Sequence, residues 1–182
     1  MTKDENTFAI YVKAVAFAAE KHRNQRRHDA EASPYINHPI ALTNVLANEG
    51  GVTDISVLCA AVLHDTIEDT ETTAYELEAL FGSRITSIVL EVSDDKTLRK
   101  DVRKQLQIEH APHSSPDAKL VKLADKICNL RDMLASPPAD WPSARKVGYF
   151  EWAGQVAAGL RGTHAGLQAT LDALIERKSE FF

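Results

Sequence analysis

Apolar positions recur at intervals of three and four residues along almost the whole chain, the spacing of helices that bury one face. Phe8, Tyr11, Val12, Val15 and Ala19 mark a first helix over about residues 7–23. A second covers 39–48, with Pro39 in the first turn, where a missing N–H costs nothing, and Gly50-Gly51 breaks it. Thr53 or Asp54 caps a third helix that reaches about Asp69. Thr73 and Glu76 have capping-box spacing ahead of Leu77, Leu80 and Phe81, and Gly82 closes that helix. Ile85, Ile88, Val89 and Val92 build the next one, ended by Ser93-Asp94-Asp95. A charged segment over 98–110 keeps Val102 and Leu106 on one side, and Pro112 and Pro116 delimit a loop. A long helix over 117–134 rests on Leu120, Leu123, Ile127, Leu130 and Leu134. Beyond Pro137-Pro138 and Pro142, helices over about 143–161 and 164–178 finish the chain. No run of four or more apolar/polar alternations, no repeat and no low-complexity linker interrupts this pattern. It predicts an all-α fold in one domain over residues 1–182, a many-helix assembly with short connections rather than a four-helix bundle.

Composition narrows the class. The 182 residues, 44% of them apolar, suffice for a core without a disulfide or metal staple, since a chain of this size buries roughly 70% of its unfolded surface. The net charge of −5 argues against a dedicated nucleic-acid-binding module, whose footprint is strongly basic. Cys59 and Cys128 form no C-x-x-C pair and sit among aliphatic residues, as small buried hydrophobes do. The N-terminus has no apolar leader, and nowhere do about 18 apolar residues follow one another. A cytoplasmic protein in a reducing compartment, with no membrane partner, is the expectation.

One helix departs from the amphipathic pattern. Leu58-Cys-Ala-Ala-Val-Leu63 is apolar on every side, as in a helix through the middle of a core, and then His64, Asp65, Glu68 and Asp69 follow at once. Three carboxylates entering a desolvated site repel one another at a cost of several kcal/mol, unless cations or protons compensate. The simplest compensation is a divalent metal ion; for this helix alone, an acidic end emerging into water is the other reading. Two further groups join it. His38, before Pro39, is expected on extended chain just ahead of a helix, because proline pushes the preceding residue out of the helical region. Asp125 lies in the apolar run Leu120-Val-Lys-Leu-Ala-Asp125-Lys, with Asn129 one turn on, and needs either a cation or an ion pair to Lys122 or Lys126. His38, His64, Asp65 and Asp125 supply two imidazoles and two carboxylates, a set suited to Mn²⁺, Fe²⁺ or Zn²⁺.

At these residues the chain resembles the HD-domain metal-dependent phosphohydrolases. More closely it resembles the hydrolase domain of the RelA/SpoT alarmone enzymes, in the small single-domain form typified by the metazoan SpoT homologue. The resemblance rests on Phe17-Ala-Ala-x-Lys-His-Arg, Gln25-Arg-Arg27, Pro34-Tyr-Ile-Asn-His-Pro39 and Ala61-x-Leu-His-Asp-Thr-Ile-Glu-Asp69. It extends through Glu91-Val-x-Asp-Asp-Lys96, Ala118-Lys-Leu-Val-Lys-Leu-Ala-Asp-Lys126, Asn129-Leu-Arg131 and Tyr149-Phe-x-Trp152. It implies an all-helical HD fold with one Mn²⁺ per chain, held by His38, His64, Asp65 and Asp125. It also implies hydrolysis of guanosine 3′,5′-bis(diphosphate), ppGpp, or the pentaphosphate, to GDP or GTP plus pyrophosphate. Glu68 and Asp69 match the pair that positions or activates the attacking water. Larger members append synthetase and regulatory domains, for which this chain has no room, so it is expected to degrade the stringent-response alarmone without making it.

A substrate with two diphosphates needs cations, and local clusters count for more than the net charge. Arg23, Arg26, Arg27 and His28 precede the His38 segment; Lys96, Arg99, Lys100, Arg103 and Lys104 form a second basic run. Without the resemblance, such runs read as solvated faces. With it, Arg27, His28, Lys100, Asn129, Arg145 and Tyr149 fall on substrate-contact positions; His28 departs from the usual lysine, which weakens a phosphate clamp. His110 and His113 are expected in solvent, His22 behind the metal site, His164 at a helix start, and Trp141 and Trp152 in core packing. Two rivals remain: the same site acting on NADPH or another nucleotide as a phosphatase, and a non-catalytic alarmone sensor. A sensor predicts loss of a ligand or of the Glu68-Asp69 pair, and neither is lost. Oligomeric state is not legible.

Overall fold

The computed structural model describes residues 3–27, 29 and 31–181, so His28 lies outside the described residues. Among the latter there are α-helices and turns, with one isolated antiparallel bridge between Arg26 and Pro34 and no strand. The helices are α1 (Lys3–Lys21), α2 (Asn37–Asn44), α3 (Ile55–Leu63), α4 (Thr66–Asp69) and α5 (Ala74–Phe81). They continue as α6 (Ser83–Val92), α7 (Lys100–His110), α8 (Pro116–Ala135), α9 (Ser143–Gly159) and α10 (Ala165–Glu176). The all-α expectation holds.

Local chemistry sets the boundaries. Asp54 caps α3 by accepting the Ser56 N–H at 2.8 Å, Thr73 caps α5 through the Glu76 N–H, and Ser115 caps α8 through the Ala118 N–H. His164 starts α10 as expected, its Nδ1 accepting from the Leu167 N–H at 3.1 Å. Gly82 joins α5 to α6 at φ 84°, a left-handed conformation that a side chain would strain.

Helix α3 is the axis of the core. Val57 and Cys59 through Leu63 are buried, and the helix packs against α1, α2, α6 and α8. The long α8 crosses it, burying Val121, Leu123, Ala124, Ile127 and Leu130, and also meets α9 and α10. Cys59 and Cys128 are free and buried, as expected. Burial raises both thiols to about 12, so neither is a ready nucleophile.

Three boundaries differ from the sequence pattern. Residues 55–69 are not one helix: α3 ends at Leu63 and α4 restarts at Thr66. Asp65 has φ −96° and ψ −1°, and the Thr66 hydroxyl donates to the Leu63 carbonyl at 2.7 Å, so a side chain takes part of the backbone's role. His38 is not on extended chain but in the first turn of α2, where its N–H donates to the Tyr35 carbonyl at 3.0 Å. A first turn tolerates the following proline because no intrahelical donor is lost there. The expected second helix ends at Asn44 and runs on as a wider π turn over Val45–Glu49, closed by the Gly50 N–H on the Val45 carbonyl at 2.9 Å.

At Gly159 the end of α9 lies against the turn before α8. A Cβ there would stand 2.7 Å from the Ala111 Cβ and 2.9 Å from the Pro112 nitrogen, and the backbone cannot yield as a flexible side chain would. Gly159→Ala should cost about 1–3 kcal/mol by overpacking and lower Tm by several degrees. Gly148→Ala, with nothing within 4 Å of the new methyl, should keep or raise Tm. Equal melting curves for the two variants would contradict this packing.

Candidate active site

The broken helix brings the His64-Asp65 dipeptide together. Neighbouring residues on an unbroken helix do not face each other, yet His64 Nε2 lies 2.8 Å from Asp65 Oδ2. His38 enters from α2, its Nε2 3.3 Å from Asp125 Oδ1, and Asp125 comes from the middle of α8. His64 Nε2 lies 4.0 Å from that same Asp125 oxygen. One ligand atom each from His38, His64 and Asp65 falls within a 4.8 Å span, close enough to share an ion. The three distant segments do converge.

The surroundings orient these donors. His64 Nδ1 faces the Ala61 carbonyl at 2.9 Å, so Nδ1 carries a proton and Nε2 is the nitrogen that could serve a cation once its own proton is gone. The Tyr35 hydroxyl donates to Asp65 Oδ2, and Asn129 Nδ2 donates to Asp125 Oδ1 at 2.6 Å. Lys126 donates to Asp125 Oδ2 at 3.0 Å, so the ion pair foreseen for this aspartate exists beside its access to the cation position. His22 packs behind the site: its ring lies on Tyr35 with centroids 4.9 Å apart, and its Nδ1 meets Gln25. Nδ1 of His38, by contrast, is buried without a hydrogen-bond partner among the described residues.

The charges are strongly coupled. Burial works against a charged His64 ring, but Asp65 and Asp125 outweigh it and lift His64 to about 9. Burial likewise opposes ionisation of Asp65, and His64 and His38 overcome it, bringing that carboxyl down to about 2. Asp125 is held well below the carboxylate range against burial, by Lys126 and then His38. His38, His64 and Asp65 thus present two imidazole nitrogens and a carboxylate oxygen that could hold a metal ion, with Asp125 Oδ1 within 4.0 Å of both rings.

Glu68 and Asp69 follow on α4. Glu68 accepts the Asp94 N–H at 2.9 Å, and its other oxygen lies 3.3 Å from Lys96 and 3.5 Å from Arg103. Burial, the largest effect on it, raises its pKa against the pull of the Asp94 N–H, and the charges of Asp94 and Asp65 add to the rise. Asp69 is paired with Lys96.

The predicted substrate residues spread over three adjoining hollows. Asn129 and Tyr149 line the cavity of about 220 Å³ that holds the histidines and aspartates. Both also line a neighbouring groove of about 420 Å³ with Arg27, which lies over the Tyr35 ring and pairs with Asp132. Lys100 and Arg145 are not in either; they share an outer basic groove with Lys104 and Trp141. Arg145 stacks on Trp141 at 3.9 Å, and Lys104 and Lys126 each lie 4.5 Å from the Trp152 ring. Both tryptophans are half-buried and pack against the core as expected, and they serve cations as well. His110 and His113 are exposed, as expected. Sequence reasoning assigned no role to Tyr35, Asp94 or Gln107, although Tyr35 stood inside the quoted His38 motif and Asp94 inside Glu91-Val-x-Asp-Asp-Lys96, where it read as a helix stop.

An HD-domain profile matches residues 14–149. The chain belongs to the HD-domain family. Within it, the chain is 55% identical to the Homo sapiens guanosine-3′,5′-bis(diphosphate) 3′-pyrophosphohydrolase MESH1, over 93% of this chain and 95% of that protein. The Xenopus tropicalis MESH1 is 56% identical over 90% of this chain and 92% of its own length. A solved metazoan ortholog of SpoT, described as hydrolysing ppGpp and acting in starvation responses, superposes with a TM-score of 0.90 at 46% identity, covering 93% of this chain and 95% of that one.

Two expectations follow. Tyr35→Phe removes the hydrogen bond on Asp65 and should weaken Mn²⁺ binding about 10- to 100-fold, read by titration with the free ion followed by electron paramagnetic resonance. The second concerns pH. His64 is raised to about 9 from an ordinary 6.5, so in chelator its pairing stabilises the fold fully below pH 6.5 and fades as pH rises through 9. Tm of the metal-free protein should fall across that window, while the Mn²⁺-loaded protein, whose imidazoles bind as neutral ligands, should not follow it. Parallel curves in chelator and metal would remove the cation from this site.

Proposed function

We propose that the chain hydrolyses the 3′ diphosphate of ppGpp, releasing GDP and pyrophosphate, and GTP from the pentaphosphate. The observation that carries this reading is the meeting of His38, His64, Asp65 and Asp125 beside Glu68, at the inner end of a groove bearing Arg27. The names of the MESH1 relatives and of the SpoT ortholog support the substrate. The whole chain, 1–182, acts as one hydrolase unit in this reading, since Leu167, Leu171 and Leu174 of α10 join the same core as α3.

His38, His64, Asp65 and Asp125 would hold one Mn²⁺ per chain; Fe²⁺ and Zn²⁺ suit the same donors. Such an ion neutralises phosphoryl oxygens and brings the pKa of water toward about 7. Glu68, fixed by the Asp94 N–H, orients the attacking water and takes its proton. Water oxygen bonds to the phosphorus next to ribose, the bond from that phosphorus to O3′ breaks, and O3′ leaves with a proton. Asp69, through Lys96, holds the Glu68 segment in place. Arg27, Asn129 and Tyr149 line the route for the nucleoside, and Lys100 and Arg145 face the 5′ diphosphate from the outer groove. His28 is proposed beside Arg27 in this set.

Purified protein with Mn²⁺ should release pyrophosphate from ppGpp and lose that activity in chelator. Asp65→Ala should abolish both metal binding and turnover. Glu68→Gln should keep the metal and lose about 10²- to 10⁴-fold in kcat. Wild-type kcat in that variant would overturn the role of Glu68. Release of orthophosphate from NADPH but no pyrophosphate from ppGpp would move the substrate assignment to a phosphatase.

A further inference from the structure

The cation cavity has a second neighbour, which shares no lining residue with the Arg27 groove. A hollow of about 430 Å³ between α6, α7 and the start of α8 shares Asp94, Gln107 and Lys122 with it. Lys122 stands one turn before Asp125 on α8, lines both spaces and is only 8% exposed. It makes no hydrogen bond or ion pair among the described residues, unlike Lys126, which is committed to Asp125. Arg103 lines the same hollow; one of its terminal nitrogens reaches Glu68 at 3.5 Å, while its Nε–H is buried without a partner. Burial lowers the pKa of the Lys122 ammonium in spite of Asp94, Asp125 and Glu68, which attract it without bonding to it. A buried donor without an acceptor, such as the Arg103 Nε–H, is likewise costly.

The carboxylates of the hollow are already engaged. Glu91 accepts the Ser115 N–H at 2.8 Å, Asp95 accepts from Thr97, and Asp94 accepts from Gln107 at 2.7 Å. Their donors are neutral, so these carboxylates keep their charge, and Arg103 also lies 4.0 Å from Asp94. The Lys122 ammonium and the Arg103 Nε–H are the buried donors of the hollow left without a hydrogen-bond acceptor among the described residues. We propose that Lys122, with Arg103, forms a subsite for the terminal phosphoryl of the 3′ diphosphate, at the junction of the cation cavity and this side hollow. The inference rests on the pyrophosphohydrolase reading above and deepens it. The scissile phosphorus sits by the histidines and aspartates, the nucleoside leaves its ribose toward Arg27, and the terminal phosphoryl extends to Lys122. Esters carrying a single phosphate have nothing to place there. Lys122 thus sets the preference for diphosphate over monophosphate esters.

The test compares ppGpp with guanosine 5′-diphosphate 3′-monophosphate, using the Mn²⁺-loaded protein. In Lys122→Gln the ratio of kcat/KM for the diphosphate to that for the monophosphate should fall about 10- to 100-fold, the usual weight of a charge-assisted contact. Lys122→Arg should restore the ratio. A Lys122 that merely supports the fold would lower both substrates together and leave the ratio unmoved, and that result overturns the proposal. Thermal protection supplies a readout that needs no turnover. Pyrophosphate should raise Tm of the wild type more than orthophosphate does, and Lys122→Gln should erase the difference; equal protection in wild type and variant also overturns the subsite. If the wild type leaves ppGpp intact, the pyrophosphohydrolase reading falls, while the protection experiment still decides what Lys122 binds.

Discussion

Two ionised carboxylates facing the interior are the constraint on which this structure depends. Asp65 and Asp125 sit where apolar helices meet, and burial alone would drive both toward the neutral acid. They stay charged because His38, His64 and Lys126 are delivered to them from α2, the end of α3 and α8. Each partner is in turn held: His64 by the Ala61 carbonyl, Asp65 by Tyr35, Asp125 by Asn129. A fold that spends an interior in this way gains a position where a doubly charged ion is favourable and where water is scarce enough for its field to act at full strength.

The helix break at Asp65 is the backbone side of the same arrangement. Continued regularly, α3 would send His64 and Asp65 in directions about 100° apart. Ending it at Leu63 and restarting at Thr66 turns both toward Asp125 and sets Glu68 beside Asp94. The charged α7 completes the frame from outside. None of its residues is buried, yet Gln107 grips Asp94 and Arg103 reaches Glu68, so an exposed helix fixes groups at the inner site.

How far the sequence carries depends on the range of the interactions. Helix positions and caps were readable because capping bonds span two or three residues: Asp54, Thr73 and His164 act where local rules place them. The metal-ligand candidates were readable because charge in an apolar helix violates a local pattern, as Asp65 and Asp125 do. The break between Leu63 and Thr66 was not, since histidine, aspartate and threonine are all tolerated in helices and only convergence with Asp125 requires them to leave one. His38 was misplaced for a related reason, because the rule about residues before proline weakens in a first turn. The core packing of Trp141 and Trp152 was legible, but not their cations, because Arg145, Lys104 and Lys126 lie on other turns or other helices. The structural separation of Lys100 and Arg145 from the inner cavity was likewise beyond any spacing argument.

The net charge of −5 and an anionic substrate are reconciled by where each charge is spent. Asp65, Glu68, Asp69, Asp94 and Asp125 crowd one cavity, and Lys96, Arg103, Lys122 and Lys126 stand against them. With the His64 ring charged as well, these cations match the carboxylates in number, and a divalent ion held by neutral imidazoles would turn the cavity positive toward a polyphosphate. The outer cations do the opposite work. Lys100, Lys104 and Arg145 are concentrated on half-buried aromatic rings in the outer groove, where an approaching anion meets positive charge before it meets the acidic interior. Attraction at the rim and discrimination within are thereby assigned to different side chains, and an overall acidic protein handles one of the most highly charged classes of nucleotide.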